Sequence, residues 1–299
     1  MSAPAPATQE APGRTRVNIV GTPALMVVLI LTQVPFVVTA VISLLNWNLR
    51  MPSAPISFAG ADNFLFLLRD PDFYRVLFNT AVITGASLVI AMILAFALAN
   101  LFNNSFPGAT VARSILIIPY FVMEPVIGII WKTLILSPTQ GLNGAFADLL
   151  GIEPISFFSS QNSLATIVML CVWQWTPFLF LIIISGLQSL PEEVMEAAQV
   201  DGAGWLRRVL SFKVPLLRPY FLVAATFGLI NLLKVFGIIF VTTQGGPGVS
   251  SANLPYYIYR TAFYDWQAGR ASAISVVTVI LTLAVLAVMF RRQGNVLER

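Results

Sequence analysis

Few residues in this 299-residue chain are equipped for chemistry. Histidine is absent, which removes the commonest general base and metal ligand together with any Ser/His or Cys/His nucleophile pair. The one cysteine, Cys171, lies in an apolar run and reads as a small buried hydrophobe, with no partner for an intrachain disulfide. A phosphate-cradling P-loop needs a lysine that follows glycine. The three lysines, Lys132, Lys213 and Lys234, follow Trp131, Phe212 and Leu233 instead. The chain is therefore expected to have no catalytic residue, no metal ligand and no cofactor site of its own. What remains is a handful of polar groups inside long apolar stretches. Glu124 lies between Pro119 and Pro125, Trp173-Gln174-Trp175 precedes Pro177, and Asn231 stands three residues before Lys234. Aromatic faces that stack on a sugar ring, with amide and carboxylate groups to bond its hydroxyls, make a carbohydrate site. Glu124, Trp173, Gln174, Trp175 and Asn231 are accordingly the candidate substrate path. The same groups suit interhelical hydrogen bonds, or a Glu124–Lys234 ion pair, equally well.

Composition decides which elements must hold these groups. Hydrophobic residues make up 57% of the chain and charged ones 10%, against roughly 25% charged in a soluble domain. One core cannot hide that excess. A bilayer-crossing helix takes about 20 apolar residues, and six stretches qualify: approximately 20–45, 79–101, 114–136, 163–185, 220–241 and 272–290. The expected fold is an all-α integral membrane protein with six transmembrane helices over residues 20–290. Pro35 predicts a tilt or kink in the first span, and Pro119 with Pro125 predicts a loosened third span with freed carbonyls. Residues 1–19, rich in Pro and Ala, are expected to form a disordered tail rather than a cleavable signal, because the apolar run that follows is too long. Residues 291–299 form a second tail. An even number of spans puts both termini on one side. That side carries ten Lys/Arg residues against six opposite, which makes it cytoplasmic. A net charge of +4, so scattered, excludes a nucleic-acid surface.

The connection 186–219 is the most structured of the loops. It concentrates eight charged residues: Glu192, Glu193, Glu196, Asp201, Arg207, Arg208, Lys213 and Arg218. Ser189 is a candidate N-cap for a helix over about 191–200, with Pro191 and acids in its first turn. Asp201-Gly202 gives a turn in which glycine takes a positive φ. Trp205 to Leu210 resumes helical spacing with Arg207 and Arg208 exposed, and Pro215 and Pro219 close the segment. On these residues alone it is a helix–turn–helix projecting from the cytoplasmic face, or an interfacial amphipathic loop.

Glu196-Ala197-Ala198, three residues, Gly202, nine residues and then Phe212-Lys213-Val214-Pro215 resembles the EAA loop of ABC importer permeases. That family's pattern is EAA, three residues, Gly, nine, then Ile, any residue, Leu, Pro; Phe212 and Val214 are apolar replacements. Thr243-Gln244-Gly245-Gly246-Pro247-Gly248, the run Tyr257-Ile258-Tyr259-Arg260, and Gly269 with Ala271-Ser272-Ala273 are similar to the carbohydrate-importer, MalF-like branch. With Asn79-Thr80, Pro119 and Gly141-Leu142-Asn143 the resemblance spans about 75–290. It implies the transmembrane domain of a type I importer in a prokaryotic inner or plasma membrane, where one chain forms half of the pore. It also implies a second, different permease, two ATPase subunits that bind ATP and Mg, and an extracytoplasmic substrate-binding protein. By the same resemblance Glu196, Ala197, Ala198, Asp201 and Gly202 dock on the ATPase. Tyr256, Tyr257, Tyr259, Phe263, Tyr264 and Trp266 read as an interfacial belt or as sugar-facing rings. The rival reading is a secondary transporter for another small polar solute. It has only Glu124 for coupling and no convincing internal repeat.

Overall fold

The computed structural model describes residues 22–297 apart from 52, 54, 104 and 105; the 1–19 tail and the last two residues of the C-terminal tail lie outside the described residues. In chain order the helices are α1 (Thr22–Ile42), α2 (Asp62–Leu67), α3 (Pro71–Phe102), α4 (Ala109–Phe121), α5 (Glu124–Ile129), α6 (Leu142–Leu150), α7 (Ser163–Gln188), α8 (Glu192–Val200), α9 (Trp205–Arg208), α10 (Val214–Leu216), α11 (Arg218–Leu233), α12 (Gly237–Thr242), α13 (Leu254–Phe263) and α14 (Ala268–Leu297). π-helical turns extend α5 over Ile130–Ile135 and α9 over Val209–Lys213. A short antiparallel hairpin, β1 (Leu45–Asn46) with β2 (Ser57–Phe58), pairs Leu45 with Phe58.

Among the described residues five stretches are long and apolar enough to cross a membrane: Leu25–Ile42, Pro71–Phe102, Ser163–Gln188, Arg218–Thr242 and Ala268–Arg291. They answer to five of the expected spans, and Pro35 lies inside an unbroken α1. The expected span 114–136 is not one helix. Ala109–Phe121 and Glu124–Ile135 meet at 97°, with Val122 and Met123 extended between them (ψ 131° and 140°). Pro125 has no N–H to give the carbonyl four residues back, so α4 cannot continue through it. In the first turn of a new helix, where that N–H would go unused, it is tolerated.

The centre of the structure is α7, the most enclosed of the apolar helices. It packs along α3 through a stripe of small residues: Ser87, Ala91, Ala95 and Ala99 all have 0% exposure. Spacing of four puts them on one helical face. Side chains this small let the backbones approach closely, which matters where lipid offers no hydrophobic gain for helix association. Leu179, Phe180, Ile183 and Leu187 of α7 belong to the same cluster.

The end of the bundle away from the 186–219 loop is knitted by side chains that bond backbone. Asp70 caps α3 by accepting from the Asp72 N–H at 3.0 Å, with Pro71 in the first turn. The Tyr257 hydroxyl donates to Asp70 at 2.6 Å, and burial, with this bond next, pushes the phenol pKa up. Asn79 Nδ2 donates to the Val249 and Ala252 carbonyls, while Thr80 Oγ1 accepts from the Leu254 N–H. The start of α3 thereby fixes the loop before α13. Asn63 Nδ2 holds the Ser43 and Leu45 carbonyls where α1 turns into the hairpin.

Ala95→Leu forces three extra carbons into the α3–α7 contact and is expected to cost about 1–3 kcal/mol. Thermal unfolding of the purified chain in detergent checks this, with Ile93→Leu on the exposed face expected to leave the midpoint unchanged.

Candidate functional site

Two places in this fold carry the functional candidates: the projecting loop between α7 and α11, and the breaks in the helices that end or begin near Glu124. In the loop, Ser189 does not cap α8. Its hydroxyl bonds the Gly186 carbonyl and the Tyr220 hydroxyl, both at 2.8 Å, closing α7 and tying it to the first turns of α11. Gly186 makes that contact feasible, since a Cβ there would stand 2.6 Å from the Tyr220 ring. The N-cap of α8 is Pro191, in an extended conformation and without a side-chain bond. At its other end, the Ala203 N–H bonds the Ala198 carbonyl and the Gly202 N–H bonds the Gln199 carbonyl. Gly202 sits at φ +77°. These are the paired bonds and left-handed glycine of a Schellman termination, and they turn the chain sharply so that α8 projects.

The return limb is fixed more firmly than the residue pattern suggests. Arg208, expected to be exposed, is half-buried and donates to Gln199 Oε1 at 2.8 Å, joining α9 to α8. Arg207 is exposed. Lys213 Nζ donates to Asn100 Oδ1 at 2.9 Å, anchoring the limb to the last turns of α3. Burial, with the Arg208 charge second, lowers the Lys213 pKa. Pro215 and Pro219 do not terminate helices; they occupy the first turns of α10 and α11. Between the limbs and α3 lies a cleft of about 640 Å³ lined by Asn100, Leu190, Met195, Glu196, Trp205 and Lys213. Glu196, Ala197, Asp201 and Gly202 are exposed, and Ala198 is buried. Beside them Val200 (87%), Trp205 (66%) and Leu206 (60%) present apolar surface.

The second place gathers most of the candidate substrate path. Gln174 Nε2 donates at 3.2 Å to the Val122 carbonyl, one of the carbonyls freed by the break between α4 and α5. Gln174 is buried, and its Oε1 has no hydrogen-bond partner among the described residues. The Trp175 ring packs edge-on against Tyr120 and Phe178. Trp173, partly exposed, meets Trp131 edge-on at 5.5 Å. Glu124 Oε2 accepts from the Phe236 and Gly237 N–H groups at 3.1 and 2.7 Å. Those amides begin α12, after a break at 234–236 that divides the expected fifth span. The carbonyl in the same break, Val235, is taken by Asn253 Nδ2. Asn231 bonds back to the Phe227 carbonyl on its own helix. Lys234 is exposed on an apolar groove with Pro255, Thr278 and Thr282, and Glu124 meets backbone amides through Oε2.

Sequence reasoning missed the break at 234–236 and the residues that complete it. Its only trace is Gly237 within an apolar run, and a Cβ there would lie 2.8 Å from Glu124 Cβ. The aromatic run after Gly248 divides: Tyr256 and Tyr257 are buried, with Tyr256 and Tyr259 packed on Phe236 and Tyr259 also on Phe240, while Phe263, Tyr264 and Trp266 are exposed.

Residues 14–299 match the family described as binding-protein-dependent transport system inner membrane component. The chain belongs to this family. It is similar to the trehalose/maltose transport system permease protein MalF of Thermococcus litoralis, 33% identical over 266 residues and 88% of each chain. It is likewise similar to the sulfoquinovosyl glycerol transport system permease protein SmoG of Agrobacterium fabrum, 34% identical over 238 residues, 79% of this chain and 77% of that one. In fold it resembles a crystal structure of a bacterial ABC transporter involved in the import of the acidic polysaccharide alginate, with a TM-score of 0.76 at 19% identity over 91% and 93% of the two chains. The family and the apolar helices together make the chain a multi-pass protein of a prokaryotic inner membrane and an ABC transporter permease.

Gln174→Leu keeps the volume but leaves the Val122 carbonyl unpaired in an apolar interior, which is expected to cost about 1–3 kcal/mol. The loss of thermal stability in detergent checks it.

Proposed function

We propose that this chain is one of two different permease subunits of an ATP-driven importer for a carbohydrate or a related polyol or sugar derivative. Two ATPase subunits, which bind ATP and Mg, supply the energy, and an extracytoplasmic binding protein delivers the substrate. On this reading the chain crosses the membrane six times, the bent α4–α5 pair counting as one crossing, with both termini cytoplasmic. The names of its relatives support the substrate class: one is a permease for trehalose and maltose, another for sulfoquinovosyl glycerol.

The observation that carries the proposal is the projecting α8. Its Schellman turn presents Glu196, Ala197, Asp201 and Gly202 together with uncovered Val200, Trp205 and Leu206. A short helix with small residues and several carboxylates, flanked by exposed apolar side chains, is fitted to seat in a groove of a cytoplasmic partner. Ala198, buried beneath, sets the spacing of α8 from its own turn. Of the candidate path residues, the bonding supports two duties. Trp173 and Asn231 retain exposed surface for a solute, whereas Gln174, Trp175 and Glu124 hold the broken helices around it.

Proteoliposomes containing this chain, its companion permease, the ATPase and the binding protein are expected to accumulate solute only with ATP. Uptake that persists when the P-loop lysine of the ATPase is replaced overturns the reading. Trehalose, maltose and sulfoquinovosyl glycerol are the first compounds for thermal-shift measurement on the binding protein. No shift with any sugar or polyol sinks the substrate class. At Gly202, with φ +77°, a Gly202→Ala change puts a side chain into the left-handed region at a cost of about 1–2 kcal/mol. Its capture of the ATPase subunit is expected to weaken about tenfold, measured by titration of the labelled ATPase.

A further inference from the structure

Two of the apolar stretches are interrupted side by side, and one side chain joins the interruptions. The α4–α5 break leaves Glu124 as the first residue of α5; the α11–α12 break leaves the Phe236 and Gly237 amides without helical acceptors. Glu124 Oε2 takes both amides. Beyond this point α5 and α12 run parallel in close contact. Gly237 lies against Glu124 and Pro125, and one turn on, a Cβ at Gly128 would stand 3.1 Å from Val241 Cβ. At the far end Lys132 Nζ donates to the Val241 carbonyl at 3.2 Å. Glycine on each helix thus removes the side chain that would hold them apart, and charged groups close the pair at both ends.

On its other side, α11 joins α10 and the loop through a turn at Leu217, whose N–H bonds the Lys213 carbonyl and whose carbonyl accepts from the Phe221 N–H. A displacement arriving at that loop therefore travels along α11 to the break at 234–236. A helix break is the soft point of such a path. Glu124 is half-buried, and its Oε2 holds both amides by charge-assisted bonds, which are short and strong.

We infer that Glu124 is a positioning residue for transport. It fastens α5 to α12 so that the two half-helices form one body, and movement entering through the loop and α11 carries α5 with it. The inference rests on the importer reading and assigns the link between its loop and the α4–α5 break.

The test uses the full complex in nanodiscs, with the single substitutions Met123→Cys at the break and Val200→Cys in α8, which are 75% and 87% exposed in this chain. The native Cys171 is fully buried and gives no background. Labelling by a membrane-impermeant maleimide is timed with and without Mg·ATP and vanadate. In otherwise wild-type complexes nucleotide is expected to change the rate at least fivefold at both sites. With Glu124→Ala the change at Val200→Cys persists and that at Met123→Cys falls below twofold. Glu124→Gln, whose amide oxygen still accepts, retains the change at both. Gly237→Ala, which forces a Cβ against Glu124, repeats the Glu124→Ala result and carries the test if that variant does not assemble. A preserved change at Met123→Cys in an assembled Glu124→Ala complex, or its loss at both sites, overturns the inference. Absence of any change at Val200→Cys in the wild-type background instead removes the importer reading itself, and the inference with it.

Discussion

In an apolar surrounding every backbone N–H and C=O must find a partner inside the protein, because each one left bare costs several kcal/mol. The architecture follows from how this chain meets that demand at the places where its helices stop. The α4–α5 break exposes the Val122 carbonyl, and Gln174 takes it. The α11–α12 break exposes two amides and a carbonyl, and Glu124 and Asn253 take those. Gln174 and Glu124 are thus placed where helices fail, and the failed helices are placed where those side chains can reach.

The same economy shapes the packing. Where α3 meets α7 the chain uses Ser87, Ala91, Ala95 and Ala99, and where α5 meets α12 it uses Gly128 and Gly237. Small residues gain little from burial; they let backbones approach until many weak contacts add up. One consequence is a closely packed centre around α7. Another is an unevenly held periphery: α1 is unburied over its apolar length, while the loop between α7 and α11 is pinned by Arg208, Lys213 and Ser189 yet leaves its apolar tip uncovered. A loop held at its base and bare at its tip is suited to passing on a push.

Much of this was legible from residues. Twenty-residue apolar runs, the proline pair around Glu124, and the EAA spacing with its glycine located most helices, one interruption and the projecting turn. The misreadings have physical causes. Ser189 precedes a proline and acids, as a cap would, but the Tyr220 hydroxyl thirty-one residues on competes for it. Arg208 looked free because its acceptor, Gln199, lies across the turn. Pro215 and Pro219 looked like terminators because proline tolerates both the end and the first turn of a helix, and local sequence does not say which. Glu124 could be read as solute-facing, ion-paired or backbone-bonding, since a lone carboxylate carries no record of its partner.

The sequence by itself determined the membrane class, the approximate limits of the helices, the lack of a P-loop and the EAA-like spacing of the loop, because hydropathy, turn chemistry and motif spacing are local quantities. Only the tertiary structure decided that the third apolar stretch bends by 97°, that the fifth is broken, and that Glu124 bridges the two. The bridge depends on a carboxylate and two amides more than a hundred residues apart in the chain meeting within hydrogen-bond distance, and no local pattern encodes that meeting.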